Sequence, residues 1–176
     1  MKNRTATLLA AMFLSTLLSA FARSEPLKVG DEAPAVTGVT ETGASLAFAD
    51  VYKRQPYTLV YFYPKADTPG CTKQGCSLRD AYEVLTQKGV AVIGVSHDNV
   101  AAQKAFKEKY HLPFTLVASD DDAVINAFGV PHIPTTPLAK RQAYLIKNGK
   151  VIWADYSAST DKQAADVLKV LEEQKS

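Results

Sequence analysis

Cysteine is scarce in this sequence, because its 176 residues contain only two, Cys71 and Cys76. Two cysteines that lie five positions apart exclude a disulfide framework that staples distant parts of a fold together. A close pair favours redox chemistry or metal binding. An incidental pair without a chemical role is the alternative.

A surplus of charge of one sign is also missing. Residues 1–22 carry two of the 20 lysines and arginines and none of the 18 aspartates and glutamates, so the rest of the chain is formally neutral. A neutral domain lacks the electrostatic footprint that nucleic acid or an anionic membrane surface requires. We therefore expect a small substrate or a protein partner.

The sequence has little that could span a membrane. The apolar stretch at residues 8–21 is too short for an ordinary transmembrane helix; it follows Lys2 and Arg4 and ends in a small-x-small cleavage pattern at residues 20–22. This predicts a signal peptide at residues 1–22, a periplasmic or secreted protein, and no membrane association after cleavage. An uncleaved membrane anchor is the alternative. Residues 23–176 then form one domain.

The hydrophobic pattern predicts an α/β fold. Residues 57–63 and 90–95 are buried strands, and between them Leu78, Tyr82 and Leu85 share one helix face, which makes a parallel βαβ unit. An edge hairpin is predicted within residues 34–49, followed later in the chain by a helix capped by Asp98 and a strand at 114–117. A short helix is predicted at 120–128 and a hairpin around Asn148-Gly149. The last predicted helix opens with a capping box at 160–163. Together they predict a thioredoxin-like fold, with a mixed central sheet and helices on both faces.

Cys71 lies where a first core strand gives way to a helix. Thr68 reads as the N-cap and Pro69 as the first helical residue, which places Cys71 in the first turn. Free backbone N–H groups and the helix dipole stabilise a thiolate there. The Thr68 hydroxyl can cap the helix and still hydrogen-bond the sulfur or a substrate oxygen. A buried structural cysteine is the alternative.

Cys76 follows five positions later. An ideal helix separates two such Cα atoms by about 7.5 Å along its axis, whereas a disulfide needs them within roughly 7 Å. Bonding the two sulfurs therefore requires the first turn to unwind, and Gly75 eases that change. We expect a redox switch between a reduced helix and an oxidised, locally unfolded loop.

The pattern Pro64-x-x-x-Thr68-x-x-Cys71, with a second cysteine five residues later, resembles the active site of the peroxiredoxins and especially of the peroxiredoxin Q or bacterioferritin comigratory protein subfamily. The resemblance continues in order over most of the chain, through residues 27–34, 95–98, 109–114 and 141–151. It implies a thioredoxin-like fold and a peroxidase activity.

The resemblance also implies roles for single residues. Cys71 would be the nucleophile that reduces hydrogen peroxide or organic hydroperoxides, Thr68 and Arg141 would orient the peroxide, Pro64 would shield the site, and Cys76 would resolve the sulfenic acid into a disulfide. A thioredoxin-like protein would then reduce that disulfide, and neither a metal nor an organic cofactor is implied. We expect a monomer.

Several features depart from the family or favour other functions. Ala143 stands where a small hydroxyl residue is common, and Gly75 where alanine is usual. A secreted copper chaperone that uses Cys71, Cys76 and His132 is the main alternative, although four residues lie between the cysteines and its usual spacing is tighter. A protein thiol-disulfide oxidoreductase also prefers tighter spacing. The run of aspartates at 120–122 resembles a cation site but fits a solvated helix start.

Overall fold

The computed structural model describes residues 25–174, so the predicted signal peptide lies outside the described residues. The strands are β1 (Thr37–Thr40), β2 (Ser45–Ala47), β3 (Tyr57–Phe62), β4 (Val90–Ser96), β5 (Thr115–Ala118), β6 (Gln142–Lys147) and β7 (Lys150–Asp155). The helices are α1 (Phe48–Arg54), α2 (Pro69–Asp80), α3 (Tyr82–Gln87), α4 (Val100–Tyr110), α5 (Ala123–Ala127) and α6 (Gln163–Glu173). Within residues 25–174 no helix is long and apolar enough to cross a membrane.

The strands form one mixed sheet in the order β2-β1-β5-β4-β3-β6-β7. The apolar runs of β3 and β4 pair in parallel, with Leu59 opposite Val92, and β5 continues the parallel set beside β4. The β6–β7 hairpin is antiparallel, and Asn148 and Gly149 both have positive φ, as a type I′ turn requires. The predicted mixed sheet is confirmed.

Helices cover both faces of the sheet and enclose two apolar cores. One core contains Tyr61, Cys71 and Leu78 and is closed by helices α2, α3, α4 and α6. The other contains Phe62 and Phe128 and is closed by α1 and α5. Alternate residues of the buried strand β3 therefore supply opposite cores, which is why residues 59–62 form a continuous hydrophobic run.

Three local predictions were wrong. The helix expected to continue past Leu78 breaks at Ala81, whose φ of −97° and ψ of 3° separate α2 from α3. The N-cap of α4 is Asn99, whose side chain accepts from Ala102 N at 2.9 Å, because the Asp98 carboxylate is engaged elsewhere. The capping box at 160–163 does not form: α6 begins at Gln163, and the Ser159 hydroxyl accepts the N–H groups of residues 161 and 162 instead.

Candidate active site

Cys71 is the third residue of helix α2 and lies at the carboxyl end of β3, where ligands bind in open α/β sheets. Its side chain is buried, with 2% of its surface exposed. Thr72 N donates to Thr68 O at 2.8 Å and closes the first turn, which leaves the N–H groups of residues 70 and 71 without partners inside the helix. The sulfur thus lies at the positive end of the helix, as predicted.

Arg141 contacts the Cys71 sulfur directly. Its Nη2 donates to Cys71 Sγ at 3.4 Å, while its Nη1 donates to Gln74 Oε1. The strand register explains the contact between Arg141 and Cys71. Gln142 pairs with Phe62, which brings the start of β6 next to the end of β3. The guanidinium thus places a fixed positive charge beside the buried sulfur.

Thr68 occupies the N-cap position with extended backbone, but its hydroxyl makes no capping bond. The prediction of a capping side chain was wrong, because Thr68 Oγ1 instead donates to Lys65 O at 2.9 Å within the loop. With its proton committed, the hydroxyl presents lone pairs and can accept the O–H of an incoming ligand. Pro64 is partly buried in the same loop, directly after β3.

Two buried glutamines support the arginine. Gln74 Nε2 donates to Gln163 Oε1 at 2.6 Å, so an amide chain runs from α6 through α2 to Arg141. Both side chains are within 1% of complete burial, and breaking such a chain leaves unpaired polar groups in the core. The sequence offered no local signal for this long-range pair.

The loop between β3 and α2 is also held by a second, partly buried hydrogen-bond network. Asp98 Oδ2 accepts from Ala66 N at 2.8 Å and from Ser96 Oγ at 2.6 Å. Gln103 Nε2 donates to Ser96 Oγ at 2.8 Å, and Gln103 Oε1 accepts from the Tyr63 hydroxyl. Asp98 therefore holds this loop and does not cap helix α4.

Asp67, in the same loop, has a left-handed backbone with φ of 57°. Its carboxylate accepts from Lys109 Nζ at 2.7 Å and from the Tyr110 hydroxyl at 2.5 Å, both at the end of α4. These hydrogen bonds from Lys109 and Tyr110 lower the pKa of the Asp67 carboxyl. They hold the loop in a conformation that few residues adopt unaided.

Cys76 is half-buried and, like Cys71, is a free thiol in this structure. The residue before it, Gly75, is buried, and a methyl group there would lie 3.4 Å from both Leu112 methyls. Both cysteines lie on helix α2, which is intact in this structure.

The candidate copper ligands do not come together. His132 Nε2 lies 3.3 Å from Asp122 Oδ1, and His97 Nδ1 lies 2.8 Å from the same oxygen. Across residues 25–174, no group of three His, Cys, Asp or Glu side chains could hold a metal ion. The aspartate run at 120–122 is likewise engaged locally, because Asp121 Oδ1 accepts from Ala123 N at the start of α5.

The sequence and the fold of this chain are similar to those of known proteins. The AhpC/TSA family model matches residues 29–154. A bcp-type peroxiredoxin sequence of Coxiella burnetii is 44% identical over 104 residues, 59% of this chain and 68% of that one. Chloroplastic peroxiredoxin Q of Oryza sativa subsp. japonica is 38% identical over 145 residues, which cover 81% of this chain and 66% of the rice protein. The crystal structure of peroxidoxin BcpB from Mycobacterium tuberculosis has a TM-score of 0.79 at 28% identity and covers 85% of this chain and 99% of its own.

Proposed function

The chain belongs to the AhpC/TSA family, in its peroxiredoxin Q and bacterioferritin comigratory protein branch, and we propose that it reduces hydrogen peroxide and organic hydroperoxides through Cys71. The observation that carries this proposal is the contact of Arg141 Nη2 with the Cys71 sulfur at 3.4 Å, at the first turn of a helix. That arrangement stabilises both the attacking thiolate and negative charge on a departing oxygen.

In the first step, the Cys71 thiolate attacks the terminal peroxide oxygen. An S–O bond forms and the O–O bond breaks, so the sulfur is oxidised to a sulfenic acid, and the departing oxygen takes up a proton and leaves as water or an alcohol. Thr68 accepts the peroxide O–H through its free lone pairs, and Arg141 donates to the oxygen that gains charge. Pro64 limits the access of water.

In the second step, Cys76 attacks the Cys71 sulfenic acid, releases water and forms an intramolecular disulfide. Since both residues lie on α2, this step requires the first turns of that helix to unwind. A thioredoxin-like protein then reduces the exposed disulfide by thiol-disulfide exchange. The chemistry needs no metal and no organic cofactor.

Stopped-flow oxidation of the reduced protein with hydrogen peroxide tests the proposal. We expect rapid oxidation of wild type, no rapid phase in Cys71→Ser, and a sulfenic acid that persists in Cys76→Ser and is captured by dimedone. Rapid peroxide consumption by Cys71→Ser would contradict the assignment of Cys71 as the nucleophile. The Cys76→Ser variant is the matched control, because it removes one thiol from the same helix.

We also propose that the protein is exported, on the basis of the sequence pattern at residues 1–22. Expression of the full chain in a Gram-negative host followed by periplasmic extraction tests this. We expect a periplasmic species whose intact mass matches a chain that begins near Arg23. A full-length product in the cytoplasm contradicts it.

A further inference from the structure

We propose that Thr160, in the turn before α6, is a further substrate-binding residue of the active site, and that its hydroxyl hydrogen-bonds the oxygen that leaves when Cys71 attacks a peroxide. This inference deepens the proposed function and rests on it. It adds to Thr68 and Arg141 a third group, which a different segment of the chain supplies.

Gly70 leaves a gap beside the Arg141 guanidinium. A methyl group at position 70 would lie 3.4 Å from Arg141 Nη2 and 3.5 Å from Thr160 Cγ2, which are van der Waals contacts. The glycine therefore leaves room for about one heavy atom between Arg141 and Thr160. Since Nη2 also donates to Cys71 Sγ at 3.4 Å, this gap adjoins the sulfur and can hold the far oxygen of a peroxide.

The groups around this gap suit an oxygen that gains negative charge. Each terminal nitrogen of a guanidinium carries a pair of N–H groups, so Arg141 Nη2 can contact the sulfur and still donate to the departing oxygen. Thr160 is half-buried, and within residues 25–174 its hydroxyl has no hydrogen-bond partner. Rotation about the Cα–Cβ bond of Thr160 moves Oγ1 into the staggered position that Cγ2 now occupies, which brings the hydroxyl to the gap.

The turn that carries Thr160 is fixed against α2. Lys73 Nζ lies 2.9 Å from Asp161 Oδ2, and Ser77 Oγ donates to Asp161 O at 3.3 Å. Ser159 Oγ donates to Asp161 Oδ1 at 2.9 Å and accepts the Asp161 N–H at 3.3 Å. Because these hydrogen bonds hold the residues on both sides of Thr160, its side chain keeps a defined position opposite the first turn of α2.

Thr160 acts on the step that breaks the O–O bond. As the Cys71 thiolate bonds the terminal oxygen, the electron pair of the O–O bond moves to the far oxygen, which leaves with a negative charge. The Thr160 hydroxyl donates a hydrogen bond to that oxygen beside Arg141, and the oxygen then takes its proton from water. A hydrogen bond that strengthens as charge develops stabilises the transition state more than the bound peroxide, so the hydroxyl raises the rate of Cys71 oxidation.

Thr160→Val and Thr160→Ser separate the contribution of the hydroxyl from that of the methyl group. In stopped-flow experiments with hydrogen peroxide, we expect Cys71 oxidation about five- to tenfold slower in Thr160→Val and close to wild type in Thr160→Ser. Ser157→Ala removes an exposed hydroxyl from the same segment and is the matched control. Gly70→Ala places a methyl group in the gap and should also slow oxidation, and in that background Thr160→Val should have little further effect.

A second readout distinguishes an effect on the peroxide from a general loss of Cys71 reactivity. In a Cys76→Ser background, iodoacetamide alkylates Cys71 without any oxygen that leaves, and we expect Thr160→Val not to change the alkylation rate. The inference is wrong if peroxide oxidises Thr160→Val as fast as Ser157→Ala, if Thr160→Ser is slowed as much as Thr160→Val, or if alkylation slows as much as oxidation. The proposed function fails separately, through the absence of rapid Cys71 oxidation in wild type.

Discussion

Lys73 and Asp161 join helix α2 to the turn that precedes α6, with Lys73 Nζ 2.9 Å from Asp161 Oδ2. Ser77 Oγ donates to the Asp161 carbonyl at 3.3 Å one turn later. Both contacts lie on the part of α2 between the cysteines and just beyond it. The proposed disulfide between Cys71 and Cys76 would require both contacts to break or shift.

We predict that Lys73→Met accelerates disulfide formation after peroxide oxidation. The pair is about half exposed on both sides, and exposed ion pairs contribute little, so we expect an increase of only about two- to threefold. The measurement is the disulfide formation rate by quenched mass spectrometry. Asp161→Asn tests the same contact from the other side, and a slower rate in either variant contradicts the prediction.

We predict that Gln74→Leu lowers the rate constant of Cys71 oxidation about tenfold or more, because Arg141 loses the acceptor that aims it at the sulfur. Stopped-flow fluorescence with hydrogen peroxide measures this. Gln163→Leu is the matched control: it shortens the amide chain but leaves the Gln74 carbonyl for Arg141. An unchanged oxidation rate in Gln74→Leu would contradict the prediction, because it would show that Arg141 keeps its position without Gln74.

The fold and the position of Cys71 could be predicted from the sequence because their signals are local. Continuous β-branched and aromatic runs identify β3 and β4, and the Thr68-Pro69 start of a helix places Cys71 in its first turn. The Gln74–Gln163 pair could not be predicted, since it depends on where α6 docks. The capping box failed because Ser159 competes for the N–H groups before the helix and shifts its start to Gln163.

We predict that Asp67→Asn destabilises the protein at neutral pH but not in acid. Hydrogen bonds from Lys109 and Tyr110 lower the pKa of Asp67, so the stability that they contribute is present above its ordinary value of about 4 and is lost as the pH falls through the lower folded value. Asn tolerates the left-handed backbone, which isolates the charge.

Thermal unfolding of wild type and Asp67→Asn between pH 7 and pH 3 measures this difference. We expect a lower Tm for the variant at pH 7 and converging values toward pH 3. Asp50→Asn is a control, because Asp50 is an exposed carboxylate whose contact with Lys53 spans 3.9 Å. A Tm difference that stays constant across this range contradicts the prediction.

We predict that Gly75→Ala stabilises α2 and slows disulfide formation. Alanine favours a helix interior over glycine by about 1 kcal/mol, and the added methyl would lie 3.4 Å from the Leu112 methyls and 3.6 Å from Phe106 Cζ, which is ordinary van der Waals contact. A helix that unwinds less readily leaves the Cys71 sulfenic acid exposed to a second peroxide for longer.

We therefore expect disulfide formation about fivefold slower and more sulfinic acid at high peroxide, both measured by mass spectrometry. The rate of Cys71 oxidation is the internal control and should not change. Faster disulfide formation would show that the methyl crowds Leu112 and loosens the helix instead.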